Sequence, residues 1–333
     1  MTYPDLTVVV PTFNRPDGLT KAVLSLFAQS HTRHGFTLII ADNAPNASAS
    51  AAIDTLRKVC PQTITLVSLH EPNPGVANAR NKAMGAVMTD LVAFLDDDQS
   101  APEDWLVRLL ESHARFPAAV TFGPVVTALP DTQRRHRAYF SSFFAREPDL
   151  KQGYTPESFG CGNSLVDFSR IPGEAPWFDV LMNEIGGEDD MLFERVRETG
   201  GDFAWAANAP VLEYPLPSRI TLNYTLRRAF AYGQGPVTIA RMATPRRHFD
   251  MIKWMLVGGA KALYHGIQWI ALSLIRHPKR AFQLDKAVRG IAKVFWFVDL
   301  RFYGQAALAK KTPVVSVLKT RRRTDVAKAD EAK

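Results

Sequence analysis

Cysteine is almost missing from this chain. Cys60 and Cys161 are the two present in 333 residues, with no CxxC pair and no His-rich spacing beside them. That arrangement argues against a disulfide framework and a Cys/His zinc site, and it suits a reducing compartment. The N-terminal residues lack the basic-then-apolar pattern of a leader, so residence in the cytosol is the expectation. No GxGxxG follows the first apolar run, which removes the dinucleotide-binding fingerprint and with it a dehydrogenase reading. No repeats or low-complexity runs appear ahead of the C-terminal tail. What the chain does have is an ordinary globular balance, 46% hydrophobic and 22% charged, so a disordered or fibrous chain is excluded.

Charge is present but unevenly placed. The formal net charge of +7 conceals an acidic first part and a basic second part. Residues 1–217 hold 17 Lys/Arg against 27 Asp/Glu, and residues 218–333 hold 23 against 6. A basic segment of this kind meets an anionic surface, either membrane or nucleic acid. Its aromatics sit in apolar runs without a recognised nucleic-acid module, so no nucleic-acid partner is expected. The change of sign places a boundary between functional parts near Pro215–Pro217.

The first part alternates strand and helix patterns. Leu6–Val10 reads as a strand, and Pro16-Asp17-Gly18 opens a helix whose Leu19, Ala22, Val23, Leu26 and Phe27 share one face. Phe36–Ala41 is a second strand, followed by a helix from about Ala47 to Val59 and a strand from Ile64 to Leu69. Pro72-Asn73-Pro74-Gly75 turns into a helix over Val76–Met88. Leu91–Leu95 is then a buried strand. A helix from Pro102 to Phe116, a strand over Ala119–Val126, a helix over Asp189–Thr199 and a short edge-like strand over Asp202–Ala206 follow. Residues 130–160, basic, aromatic and rich in Pro and Gly, read as a mobile loop. Alternating β and α with short connections implies a mainly parallel sheet covered on both faces.

Leu91–Leu95 runs directly into Asp96-Asp97-Asp98. Two carboxylates near 4 Å repel by about 1 kcal/mol in water and about 4 kcal/mol at a protein surface. Such a cluster is either a solvated acidic turn or a place where something positive sits, and Mg²⁺ or Mn²⁺ suits oxygen ligands. Open α/β sheets bind ligands beyond the carboxyl ends of their strands, which favours a site.

Further motifs keep company with the triplet. Pro11-Thr12-Phe13-Asn14-Arg15 and Ala41-Asp42-Asn43 close two strands. Asn73-Pro74-Gly75-Val76-Ala77-Asn78-Ala79-Arg80-Asn81 precedes the triplet, and Gly186-Gly187-Glu188-Asp189-Asp190 comes about ninety residues after it. Over roughly residues 5–235 this set resembles the family 2 glycosyltransferases of bacterial, membrane-associated type. The resemblance implies a GT-A fold, a Rossmann-like α/β architecture with a mixed, mostly parallel sheet. It also implies transfer from a nucleotide-diphosphate sugar, uridine being the family default.

The same resemblance assigns roles. Asp98 becomes the direct ligand of a divalent metal, Mn²⁺ or Mg²⁺, which neutralises the leaving diphosphate. Asp96 faces the ribose or donor sugar, with Asp97 beside it in the substrate-binding set. Asp42 matches the acceptor of a pyrimidine N–H, or else is a turn-forming residue. Arg80 pairs with phosphate or stacks on a base, or is a solvated helix-surface arginine. Thr12 and Asn14 form a small polar shelf for the base, through side-chain or backbone groups. Asn163, in Gly160-Cys161-Gly162-Asn163-Ser164, lies where this fold binds donor sugar or acceptor, while Cys161 reads as a packed residue. Asp189 is the general base for inverting attack and Glu188 orients the acceptor, although the acids also suit the N-terminus of a helix. Gly186-Gly187 allows close approach of the acceptor. Trp105 reads as a buried helix anchor rather than a sugar-stacking ring. One departure is visible: the histidine that completes many such metal sites is replaced by Val211-Leu212-Glu213-Tyr214-Pro215. Either Glu213 lies near the metal, or Asp98 and the diphosphate hold it with water.

Three segments are expected: a catalytic domain over 1–235, a helical membrane-associated region over 236–310, and a basic disordered tail over 311–333. Trp254–Ile275 is strongly apolar, but Lys261, His265 and Gln268 recur at i, i+4 and i+7, which suits an interfacial helix better than a span. Arg276, Lys279 and Arg280 follow it, then Phe295-Trp296-Phe297-Val298, a pattern of aromatics beside basic residues that belongs at a headgroup layer. The protein is expected on the cytoplasmic face of a membrane, through residues 250–310, acting on a glycan or lipid-linked acceptor.

Overall fold

A computed structural model describes residues 5–30, 34–184, 186–243, 245–299 and 316–317. The chain divides into two compact units, one ending at Thr221 and the next beginning at Leu222.

Within the first unit the strands are β1 (Leu6–Thr12), β2 (Phe36–Asp42), β3 (Ile64–His70), β4 (Leu91–Phe94), β5 (Gln99–Ser100), β6 (Val120–Phe122), β7 (Val125–Thr127), β8 (Gly153–Thr155), β9 (Ser164–Asp167), β10 (Phe203–Trp205) and β11 (Val211–Glu213). The helices are α1 (Pro16–Phe27), α2 (Ser50–Val59), α3 (Val76–Met84), α4 (Trp105–Arg115), α5 (Arg137–Phe144) and α6 (Glu188–Glu198). Among the described residues the main sheet runs β3-β2-β1-β4-β9-β6-β10-β8, and a small sheet runs β5-β11-β7. β1, β2, β3 and β4 are mutually parallel, whereas β9 is antiparallel to both β4 and β6.

The apolar strands are continuous runs because both of their faces are covered. Alternate residues of β1 divide between the faces. Val8 and Val10 pack with Leu19 and Val23 of α1, Leu56 of α2 and Trp105 of α4. Val9 joins Ala77 and Ala83 of α3 and Phe193 of α6 on the other side. Register then sets the site: Thr12 lies beside Asp42, while β4 stops at Phe94 opposite Val9. The acidic triplet therefore continues past the strand alongside the end of β1.

Three expectations need correction. The strand over Ala119–Val126 is two strands in different sheets, parted at Gly123-Pro124, where proline lacks the ladder donor. Residues 130–160 are not one mobile loop: Tyr139, Phe140 and Phe144 bury one side of α5, and β8 pairs with β10. That pairing also makes β10 an interior strand rather than an edge.

The second unit holds α7 (Leu222–Gly233), α8 (Gly235–Met242), α9 (His248–Leu274) and α10 (Arg280–Val294). α9 and α10 approach closely through glycines: a Cβ on Gly258 would stand 2.6 Å from the Gly290 carbonyl oxygen. Gly233 of α7 meets Arg289 and Ala292 of α10 in the same manner. This packing assigns α7 to the second unit, although the sequence reading carried the first domain to residue 235. Of the expected tail over 311–333, all but residues 316–317 lie outside the described residues.

Candidate active site

The end of β1 receives the triplet. Asp97 accepts hydrogen bonds from the Thr12 hydroxyl at 2.8 Å, the Phe13 amide at 3.3 Å and Arg15 Nη1 at 2.9 Å. The same Nη1 donates to Asp98 at 2.6 Å, and Arg219 Nη1 stands 3.9 Å from that oxygen. Burial weakens the Arg15 charge, but Asp97 and Asp98 outweigh this and hold the guanidinium ionised. Two arginines thus answer the repulsion expected within the triplet. Thr12 spends its hydroxyl on Asp97, which leaves its backbone groups for the base-binding shelf that the resemblance implies. Asn14 is exposed, with φ 54° in the left-handed region that asparagine tolerates.

The second acidic cluster opens α6. Gly186 and Gly187 have φ of 84° and 92°, conformations that favour glycine, and they turn the chain into the helix. Glu188 is buried against Arg80, whose Nη1 donates to it while Nη2 reaches Asp96 at 3.5 Å. Arg80 itself is 4% exposed. It is neither a solvated surface arginine nor one presented to a phosphate: it links the two acidic clusters. Its unused Nε is buried with no hydrogen-bond partner.

Asp189 is partly exposed. Its Oδ2 accepts the Cys161 N–H at 3.0 Å, and its Oδ1 accepts the Asp190 N–H at 3.0 Å. The Gly160-Cys161-Gly162 loop lies against both acidic groups. A Cβ on Gly162 would fall 2.1 Å from Asp96 Oδ2, and one on Gly160 would fall 3.4 Å from Asp189 Oδ2. Side chains are excluded at the first position, so the backbone itself borders the site. Burial raises the Cys161 thiol to about 12, which keeps it an inert packed group as the sequence suggests.

Asn163 requires a correction. It is fully buried, accepts from Trp105 Nε1 at 2.7 Å and donates to the carbonyls of Pro124 and Ala209. Its amide braces the scaffold and is not offered to a sugar. Trp105 is the buried anchor expected of it. Asp42 closes its own loop, accepting from the amides of Ala44 and Ala49 at 3.0 and 2.7 Å. The turn-forming reading describes this geometry, and contact with a base rests on the resemblance alone.

Arg146 went unnoticed in the sequence. Its guanidinium donates to the carbonyls of Gly123, Gly160, Gly162 and Asn163, clamping the loop that presents Cys161 to Asp189. Burial lowers it to about 10, against the pull of Asp96 and Glu213. A lone arginine in a basic loop carries no spacing signal, since its partners are backbone groups brought together by folding.

For a metal, the donors are sparse. Among the described residues no cluster of three or more His, Cys, Asp or Glu side chains is arranged to hold an ion. Glu213 does come near the triplet, since it pairs with Gln99 and the next amide, Tyr214 N–H, donates to the Asp98 carbonyl at 2.8 Å. Asp98 is partly exposed but its Oδ2 already accepts from Arg15 Nη1, so a divalent ion held there would need water and substrate phosphates as its other ligands.

Burial raises Glu188 to about 7, with Arg80 opposing and Asp189 adding to the rise, and it raises Asp97 to about 6 against the pull of Arg15. Both acids keep their protons to higher pH in the folded chain than in the unfolded one. The stability they contribute is complete below about pH 4 and is lost as pH rises to about 7. The melting temperature is expected to decline across that window, and Glu188→Gln to flatten the decline. An equally steep fall in the variant would contradict the assignment.

A family model described as glycosyl transferase family 2 matches residues 7–169. The succinoglycan biosynthesis protein ExoM of Rhizobium meliloti is 31% identical over 77% of this chain and 81% of its own length. A pre-mycofactocin glycosyltransferase of Mycobacterium tuberculosis is 27% identical over 93% of this chain and 62% of its own length. Among solved structures, Staphylococcus aureus TarS 1-349 in complex with UDP-GlcNAc superposes with a TM-score of 0.52 at 11% identity, covering 74% of this chain and 69% of TarS. That likeness concerns the fold, and it is the mixed α/β architecture described above.

Proposed function

From the premise that the chain belongs to glycosyl transferase family 2 and is a glycosyltransferase of GT-A fold, we propose that it inverts the anomeric centre of a nucleotide-diphosphate sugar, with Asp189 as general base. The observation that carries this is the placement of Asp189: a partly exposed carboxylate, oriented by the Cys161 N–H, across the Gly160–Gly162 loop from Asp96. An acceptor hydroxyl attacks the anomeric carbon as the bond to the diphosphate oxygen breaks, and its proton passes to Asp189. Such proton transfer contributes about 10²–10⁴-fold. Glu188 is buried on Arg80, so in this reading it positions the turn under Asp189 instead of touching the acceptor. Asp96 faces the sugar from the other side. Arg15 and Arg219 concentrate positive charge beside Asp98, where the diphosphate departs. A divalent cation at Asp98 would supply further charge neutralisation there. The UDP-GlcNAc bound in the TarS structure supports a uridine donor, and ExoM, a succinoglycan biosynthesis protein, supports a glycan acceptor.

A thermal-shift panel of nucleotide-sugars, each with and without Mn²⁺, tests the reading. One nucleotide class should raise the melting temperature selectively and be turned over; no response to any would sink it.

The proposal extends to a peripheral place on the cytoplasmic face of a membrane, close to a lipid-linked or surface glycan, and the second unit supports the surface contact. No helix among the described residues is long and apolar enough to cross one. In α9, however, Ile252, Leu256, Leu263, Ile267, Ile270 and Leu274 fall in one stripe and are 56–80% exposed. His265 of the opposite, more polar face bonds Gln283 of α10 at 2.7 Å, so the apolar stripe and not the polar one is left outward within this unit. Exposed Arg246, Arg247 and Lys253 flank its start, and Arg276 and Lys279 its end. Apolar area with basic ends fits an anionic lipid surface. The double change Leu263→Glu and Ile267→Glu is expected to weaken sedimentation with phosphatidylglycerol vesicles by roughly tenfold or more, since each buried side chain contributes about 1.5–3 kcal/mol. Equal partition of variant and parent would refute the surface role.

A further inference from the structure

Beside the Arg146 clamp lies an open cavity of ≈650 Å³, walled by Ala138, Ser141 and Ser142 of α5 and by Pro148 and Phe159. Its size falls in the range of small-molecule sites, and its lining joins an aromatic ring to a few polar groups. The Phe159 ring is fixed from behind by Trp205 and Phe122, with centroids 4.9 and 5.5 Å away. Ser141, Ser142, Arg146 and Glu147 also line it, adding two hydroxyls and two charged groups.

Two of its lining residues, Phe159 and Arg146, connect the cavity to Gly160 and so to Asp189. Gly160 follows Phe159 directly and is exposed, and its carbonyl is bound by Arg146 Nη1 at 2.6 Å. A Cβ there would lie 3.4 Å from Asp189 Oδ2 and 3.5 Å from Arg146 Nη1. Gly160 thus borders both Asp189 and Arg146, and Arg146 is one of the residues lining the cavity.

We infer that this cavity, between α5 and Phe159, receives the acceptor glycan and delivers its hydroxyl across Gly160 to Asp189. The inference rests on Asp189 being the general base. A pyranose ring stacks on Phe159, its hydroxyls meet Ser141, Ser142 and Glu147, and the attacking oxygen loses its proton to Asp189 as it takes the sugar from the diphosphate. α5 therefore determines which glycan is accepted, while the strand-end carboxylates handle the donor.

Octyl β-glucoside serves as the acceptor probe, with nucleoside diphosphate release as the readout and the nucleotide-sugar selected by thermal shift as donor. The parent should show saturable stimulation. Ser142→Trp, at an exposed helix position that the core does not use, should raise the KM for the glucoside at least tenfold. Ala138→Trp on the same wall should act alike. The donor Kd and the melting temperature of both variants should match the parent. An unchanged KM in both variants overturns the inference, as does absence of stimulation in a parent that binds donor. Failure of the parent reading looks different: no nucleotide-sugar binds at all, or Asp189→Asn transfers sugar normally.

Discussion

Asp189→Asn is expected to lower kcat for transfer by about 10²–10⁴-fold, the usual contribution of a positioned base, with donor affinity nearly unchanged. Asparagine preserves the shape of the side chain, and its oxygen can still accept the Cys161 N–H now bound at 3.0 Å. What it loses is the ability to take a proton, together with the second acceptor that now receives the Asp190 N–H. Removing an interaction made only as the hydroxyl attacks should depress kcat and kcat/KM together. Isothermal titration with donor and initial-rate measurements on the same preparation separate the two effects. Full activity in the variant would remove Asp189 from the mechanism, and a matching loss of donor affinity would reassign it to binding.

Arg80→Met should be the most destabilising single change in the site, by about 3–5 kcal/mol, the range for breaking a buried ion pair by removing one partner. Arg80 and Glu188 are 4% exposed each, and Asp96 loses the same guanidinium. Methionine fills much of the volume but leaves a carboxylate buried without its cation. Combining Arg80→Met with Glu188→Gln should recover part of the loss, because the uncompensated charge is then gone. Chemical denaturation of the two single variants and the double variant checks this coupling. Strict additivity would mean that the pair is not energetically linked, whatever its geometry.

Much of the first unit was legible in the sequence. Continuous apolar runs at Leu6–Val10 and Phe36–Ala41, helical spacing in Leu19–Leu26 and a turn at Pro72–Gly75 are local signals, and local hydrophobic periodicity survives folding. The acidic clusters were legible as well, since adjacent carboxylates are conspicuous wherever they lie. The individual roles were less so. The side chains of Thr12 and Asn163 have partners far along the chain that no local spacing announces: Asp97 for the Thr12 hydroxyl, and Trp105, Pro124 and Ala209 for the Asn163 amide. Arg146 was silent because it binds carbonyl oxygens, which every residue has.

The amino-acid sequence by itself determined the family, the alternating strands and helices that form the sheet, and the two acidic clusters, one beyond β4 and one opening α6. Their residue types and order suffice, because burial of apolar runs and repulsion between neighbouring carboxylates are properties of short segments. Only the tertiary structure decided that Arg80 joins those clusters, that Arg15 and Arg219 meet Asp98, and that Gly160 is packed beside both Asp189 and Arg146. Those relations depend on strand register and on the antiparallel insertion of β9, which bring groups more than a hundred residues apart within hydrogen-bond reach. Electrostatic pairing and side-chain burial are set by that proximity and leave no trace in local spacing.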